Sequence, residues 1–164
     1  MKILLLSRDE DYLVVLKDLR FFGDVTYFSN KLTEDIGKFD LIVCYCYGPI
    51  LNQDQIDKLK GPIINLHPSF LPYGRGIYPI LWGTALNHPL GSTIHLIENK
   101  EIDNGSIIIQ EQFFFTKDIT LSQAHLALTS LSRQLMLKLL CNGFPFVNIF
   151  ETYQPNPKIA EQSY

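Results

Sequence analysis

A chain of 164 residues, 46% hydrophobic and 19% charged, has the size and balance of one soluble domain able to bury a core. Its formal net charge of -3 gives no electrostatic reason to expect a nucleic-acid partner, and no apolar run is long enough to span a bilayer. Aromatic residues, at 12%, must line a core, a pocket or an interface.

Residues 2–6 read as a buried strand, an apolar run too short for a signal peptide. Asp11 to Phe22 carries Leu13, Val14, Leu16, Leu19 and Phe22 at close to helical spacing. Asp24 to Phe28 is a second strand, the stretch 31–38 is polar and ambiguous, and Asp40 to Tyr45 is a third strand. Gly48-Pro49 turns the chain toward a helix near Leu51 to Leu59, and Gly61-Pro62 opens a fourth strand at 63–66. A helix at Tyr78 to Leu86 follows, then strands at Ser92 to Glu98 and Ser106 to Phe115, then an amphipathic helix from about Leu121 to Leu140. The tail from about residue 142, with Pro145, Pro155 and Pro157, is expected to be extended.

Strands alternating with helices predict an α/β fold, and continuous apolar strands predict that both sheet faces are covered. The expectation is a Rossmann-like, mostly parallel sheet with helices on both faces, in a single domain over 1–164. The turn after the first strand, Ser7-Arg8-Asp9-Glu10-Asp11, has no glycine, so a dinucleotide enzyme is not expected. Cys44 and Cys46 should share one face of the third strand as buried thiols. With Cys141 they make an odd count and no second pair, which fits a reduced, cytoplasmic protein better than a redox or zinc site. The four histidines, His67, His88, His95 and His125, show no ligand spacing, so no metal is expected.

The chemistry is concentrated in two segments. Asn65-Leu66-His67-Pro68-Ser69 begins where the fourth strand ends, the place where open α/β sheets hold their ligands. Asn65 and His67, two apart, point to the same side in extended chain. Pro68 and Pro72 stiffen the loop that follows, while Gly74 and Gly76 permit close backbone approach to a ligand. The second segment, Ser92 to Ile107, is a strand, an acidic loop and the start of another strand. Asp103-Asn104-Gly105 taken alone is a common hairpin turn.

Together the two segments resemble the folate-dependent formyltransferase family. Its members include glycinamide ribonucleotide, methionyl-tRNA and amino-sugar N-formyltransferases. The pattern Asn-x-His, then Pro-Ser-x-Leu-Pro, then Asp-x-Gly-x-Ile-x-x-Gln is met by Asn65, His67, Pro68 to Pro72, Asp103, Gly105, Ile107 and Gln110. The resemblance implies the family's catalytic core and a catalytic set of Asn65, His67 and Asp103. Attack of an amine on a formyl carbon builds an oxyanion, for which the Asn65 amide and His67 could be donors, and releases a proton that Asp103 could accept. An Asp near His67 is expected to orient its ring and raise its pKa.

The resemblance also implies 10-formyltetrahydrofolate as donor, held mainly by backbone near Tyr45, Cys46, Tyr47 and Ile50 and near Glu98, Glu101 and Ile102. Arg8, Ser69, Tyr73 and Arg75 are the candidates for contact with the amine substrate. The loop Leu71 to Gly76, followed by Tyr78-Pro79, looks most like the amino-sugar enzymes, which points to a nucleotide-linked amino sugar and leaves a homodimer open. Methionyl-tRNA enzymes are expected to resemble the chain least, since it lacks the length and basic charge of their added RNA-contacting domain. Glycinamide ribonucleotide is the alternative acceptor, and a non-catalytic folate-binding homologue is the alternative role.

Overall fold

The computed structural model describes residues 1–8, 12–29, 32, 37–115 and 119–145. Its elements are β1 (Lys2–Ser7), α1 (Tyr12–Leu19), β2 (Asp24–Phe28), β3 (Leu41–Tyr45), α2 (Gln53–Lys58), β4 (Ile63–His67), α3 (Pro79–Ala85), β5 (Gly91–Leu96), β6 (Ile107–Gln112) and α4 (Leu121–Cys141). The start of the first helix at Asp11, most of 31–38 and the tail beyond 145 lie outside the described residues.

The six strands form one sheet in the order β2-β1-β3-β4-β5-β6. The first four run parallel, and β5 pairs antiparallel with both β4 and β6, so it alone runs against the other strands of the sheet. The parallel half is apolar on both faces because both are covered. On one face α1 lays Val15, Leu16 and Leu19, and α4 lays Leu131, Leu135, Met136 and Leu139, over Ile3, Leu5, Val43 and Ile64. On the other face Ile56 of α2, with Leu59, Leu32 and Phe39, covers Leu4, Leu6, Ile42 and Ile63. The expected α/β architecture is the observed one.

Several boundaries differ from expectation, each for a local reason. Helix α2 starts at Gln53, because Asn52 and Gln55 cap each other's backbone N–H groups reciprocally. Strand β6 stops at Gln112, since Phe113 and Phe115 pack on each other and on Ile80, Ala124 and Leu128. Residues 142–145 form a turn after α4, so the extended tail does not begin at 142. Cys44 and Cys46 do not share a face. Cys46 lies one residue past β3 with φ at +50°, and this left-handed turn sends it to the α4 side while Cys44 packs on the α2 side.

Candidate active site

The strand register builds the site. Asn65 pairs with His95 and His67 with Thr93 across the antiparallel β4–β5 seam, so these four side chains rise from one face. A register shift at Ile94/His95 locally re-aims His95. The loop after β5 folds back over that face and delivers Asp103, which adopts a left-handed conformation with φ at +49°. Gly105 makes this return possible, because a Cβ there would stand 1.8 Å from the Leu96 carbonyl oxygen.

Asp103 is the hub. Its Oδ1 accepts from Asn65 Nδ2 at 3.0 Å, and its Oδ2 accepts from the Gly76 N–H at 2.8 Å. His67 Nε2 stands 3.6 Å from Oδ2 and His95 Nε2 stands 3.3 Å from Oδ1. Burial by itself pushes this carboxyl up. The hydrogen bond from His95, the positive charge of either imidazole and the Gly76 N–H more than offset it and hold the group at about 2.

His67 is 5% exposed, and its Nε2 donates to the Gly74 carbonyl at 2.8 Å. Its pKa is lowered, contrary to the expectation that Asp103 raises it. Burial disfavours the charged ring more strongly than the carboxylate and the Gly74 carbonyl favour it. His67 therefore serves as a neutral ring with a fixed Nε2–H. His95 is a site residue that the sequence reading left unassigned; its signal was the alternation that sets Thr93 and His95 on one side of a strand. Its Nδ1 donates to the Leu96 carbonyl at 2.8 Å, and Nε2 lies 3.2 Å from Asn65 Nδ2. When neutral, Nε2 accepts from Asn65; when protonated, it donates to Asp103. One N–H of Asn65 is engaged by Asp103 and the other faces His95 Nε2, so offering one to a reacting oxygen exchanges a partner.

The other predicted residues are spread around this hub. Tyr45 is buried in the core, Tyr47 packs half-buried against the α2-side cluster, and Ile50 is exposed in the turn beyond β3. Burial raises the Tyr47 hydroxyl, which stays neutral. Glu98, Glu101 and Ile102 are exposed in the acidic loop, where Glu98 Oε2 accepts from the Ser106 N–H at 2.8 Å. Beneath the start of that loop an apolar cavity of about 260 Å³ is lined by Ile56, Leu59, Ile63, Leu96 and Ile97, with Glu98 among its residues. Of the residues expected to hold folate, Glu98 alone lines it.

Ser69 is 2% exposed, and its hydroxyl has no hydrogen-bond partner among the described residues. The Tyr73 ring leans on His88 at 5.0 Å, while Arg75 and Arg8 are exposed. Among the described residues, no group of three or more His, Cys, Asp or Glu is placed to hold a metal ion, and no helix is long and apolar enough to cross a membrane.

A family profile described as formyl transferase matches residues 16–140. The methionyl-tRNA formyltransferase of Rickettsia bellii is 35% identical over 104 residues, covering 63% of this chain and 34% of that protein. The crystal structure of the formyltransferase PseJ from Anoxybacillus kamchatkensis, in complex with UDP-4,6-dideoxy-4-formamido-L-AltNAc and tetrahydrofolate, matches with a TM-score of 0.76 at 31% identity, covering 86% of this chain and 75% of that one. Phosphoribosylglycinamide formyltransferase from Bacillus halodurans shares the fold, with a TM-score of 0.65 at 18% identity, covering 85% of this chain and 95% of that one. The chain spans about a third to two fifths of the length of the curated relatives it matches. The expectation that methionyl-tRNA enzymes resemble it least does not hold for sequence, where identities to them reach 36%.

Proposed function

This chain belongs to the formyl transferase family, and we propose that it transfers a formyl group from 10-formyltetrahydrofolate to the amine of a nucleotide-linked amino sugar. The observation that carries the chemistry is the convergence of Asn65, His67 and Asp103 at one partly buried point, with Asn65 and Asp103 in direct hydrogen bond. The donor supplies an activated formyl carbon, and the chain's residues manage charge and protons around it. Asn65 Nδ2 and the Nε2–H of neutral His67 are the donors that an oxyanion would meet, each by exchanging a present partner, Asp103 or His95 for Asn65 and the Gly74 carbonyl for His67. Asp103, ionised at neutral pH, accepts the proton shed by the amine, directly or through water. A carboxyl held at about 2 is a poor base at rest, so this transfer depends on replacing one of its present donors.

Support for the donor comes from the PseJ structure, which holds tetrahydrofolate; the apolar cavity lies at the amino end of β4, beside Gly61, Pro62 and Ile63, and none of Asn65, His67 and Asp103 lines it. Support for the acceptor comes from the PseJ likeness, which extends over 86% of this chain, and from the loop at Tyr73 to Gly76. Arg8 and Arg75 are proposed to meet the phosphates of that acceptor, since Arg holds phosphate through paired charged hydrogen bonds. Three cysteines outside any disulfide fit a reducing, cytoplasmic setting.

A second reading, methionyl-tRNA as acceptor, is favoured by the 35% identity to the Rickettsia enzyme. The test is a panel of UDP-4-amino-4,6-dideoxy sugar, methionyl-tRNA and glycinamide ribonucleotide, each incubated with 10-formyltetrahydrofolate and read by mass. Formylation of the UDP sugar alone is the expected result. Formylation of methionyl-tRNA or glycinamide ribonucleotide instead reassigns the acceptor, and tight folate binding without any formylated product sinks the enzymatic reading. Arg8→Ala should weaken acceptor binding about ten- to hundred-fold and leave folate affinity alone. An unchanged acceptor constant removes Arg8 from the site.

A further inference from the structure

One row of the sheet carries three polar side chains in register. His67 pairs with Thr93, and Thr93 pairs with Gln110, across β4, β5 and β6. Thr93 is fully buried, yet its hydroxyl is saturated. It donates to the Ser69 carbonyl at 2.7 Å and accepts from the Leu71 N–H at 3.1 Å. Gln110 Nε2 donates to the Leu71 carbonyl at 3.0 Å and reaches Thr93 Oγ1 at 3.4 Å. Both backbone polar groups of Leu71 are therefore held from the sheet. The same loop, a few residues on, presents the Gly74 carbonyl to His67 and the Gly76 N–H to Asp103. One end of the loop is pinned by Thr93 and Gln110, and the other end orients the two reacting groups.

We propose that Thr93 and Gln110 are positioning residues for formyl transfer, fixing the Ser69–Leu71 turn so that Gly74 and Gly76 reach His67 and Asp103. The inference rests on the formyl-transfer reading above. Its physical basis is the cost of a buried N–H or C=O without a partner. Removing the Thr93 hydroxyl orphans the Leu71 N–H and weakens the hold on Ser69, and the turn moves to recover those bonds. A shift of about 1 Å at Gly74 is enough to misorient His67, on the scale at which misplaced catalytic groups lose about a hundred-fold. A merely structural role lowers stability and leaves turnover intact in the folded protein.

The experiment compares Thr93→Val, Thr93→Ser and Gln110→Met, assayed below their melting temperatures with a UDP-4-amino sugar and 10-formyltetrahydrofolate. Thr93→Val should lower kcat about ten- to hundred-fold with the folate KM unchanged, and Thr93→Ser should retain kcat. In a His67→Ala background Thr93→Val should cost less than in the wild type, because only the route through Gly76 and Asp103 remains. The imidazole nitrogen resonances of His67 should move in Thr93→Val and Gln110→Met but not in Thr93→Ser, a readout independent of turnover. Wild-type kcat in folded Thr93→Val, with unmoved His67 resonances, overturns the proposal. If Thr93→Val does not fold, half-buried Gln110→Met carries the same two readouts. A wild-type chain that formylates no amine defeats the formyl-transfer reading, while the His67 resonances still decide the clamp.

Discussion

Asp103 gathers contacts from Asn65, His67, His95 and Gly76, more than any other side chain of the site. Asp103→Asn keeps its size and removes its charge. Turnover should fall by about a hundred- to ten-thousand-fold, measured in a single turnover, while a stable folate analogue binds as before. Unchanged turnover rules out proton transfer at this position. Gly74 is constrained in a different way: its φ is +69°, and a Cβ there would lie 3.1 Å from Ser69 Cβ. Gly74→Ala should destabilise the fold by about 1 kcal/mol or more, read by urea denaturation, and should also loosen the carbonyl that accepts the hydrogen bond from His67 Nε2. Asn65, His67 and Asp103 were singled out in the sequence through the resemblance that the Asn-x-His and Asp-x-Gly segments carry together, since either pattern alone is common. His95 and Thr93 were not: alternation sets them on one side of β5, but only the cross-strand register brings that side against Asn65 and His67. The lowered pKa of His67 was hidden for the same reason, as burial is a property of packing.

At the scale of elements, the strand and helix order was readable because β1, β3 and β4 are short, mainly apolar runs and turn residues separate the elements. The capping pairs were equally visible but went unused. Asn52 with Gln55, and Thr120 with Gln123, mark helix starts by reciprocal side-chain to backbone bonds. Thr120 Oγ1 accepts from the Gln123 N–H at 3.2 Å, so Thr120→Ala should lower stability by about 1 kcal/mol, seen as a lower thermal midpoint without a change in kcat. A wild-type midpoint would show that α4 is held by its buried face alone. Strands β5 and β6 were expected to run two or three residues further. Composition could not reveal that Phe113 and Phe115 pack near Ile80 and Leu128, because those partners belong to other elements, Ile80 more than thirty residues away.

At the scale of the whole molecule, the two perturbed groups set how stability responds to acid. The folded pKa of His67 lies below its usual value, so the unfolded chain takes up a proton first and stability declines as pH falls below the ordinary histidine range near 6.5. Asp103 is held at about 2 against an ordinary 3.8, so its contribution is complete above pH 3.8 and disappears as pH falls toward 2. That shift corresponds to about 2 kcal/mol. Urea titrations between neutral pH and acid should show the upper decline vanish in His67→Ala and the lower one flatten in Asp103→Asn. A pH profile identical in all three proteins contradicts the buried network.

The same network bears the central claim, that one buried cluster of Asn65, His67 and Asp103 performs formyl transfer. The measurement that meets it most directly follows both products in one reaction with 10-formyltetrahydrofolate and a UDP-4-amino sugar: tetrahydrofolate by absorbance and the formylated amine by mass. Wild-type protein should yield the two in equal amounts, and Asp103→Asn, still binding the folate, should yield neither at a comparable rate. Equal rates in the two proteins, or tetrahydrofolate released with no formylated amine, would contradict it.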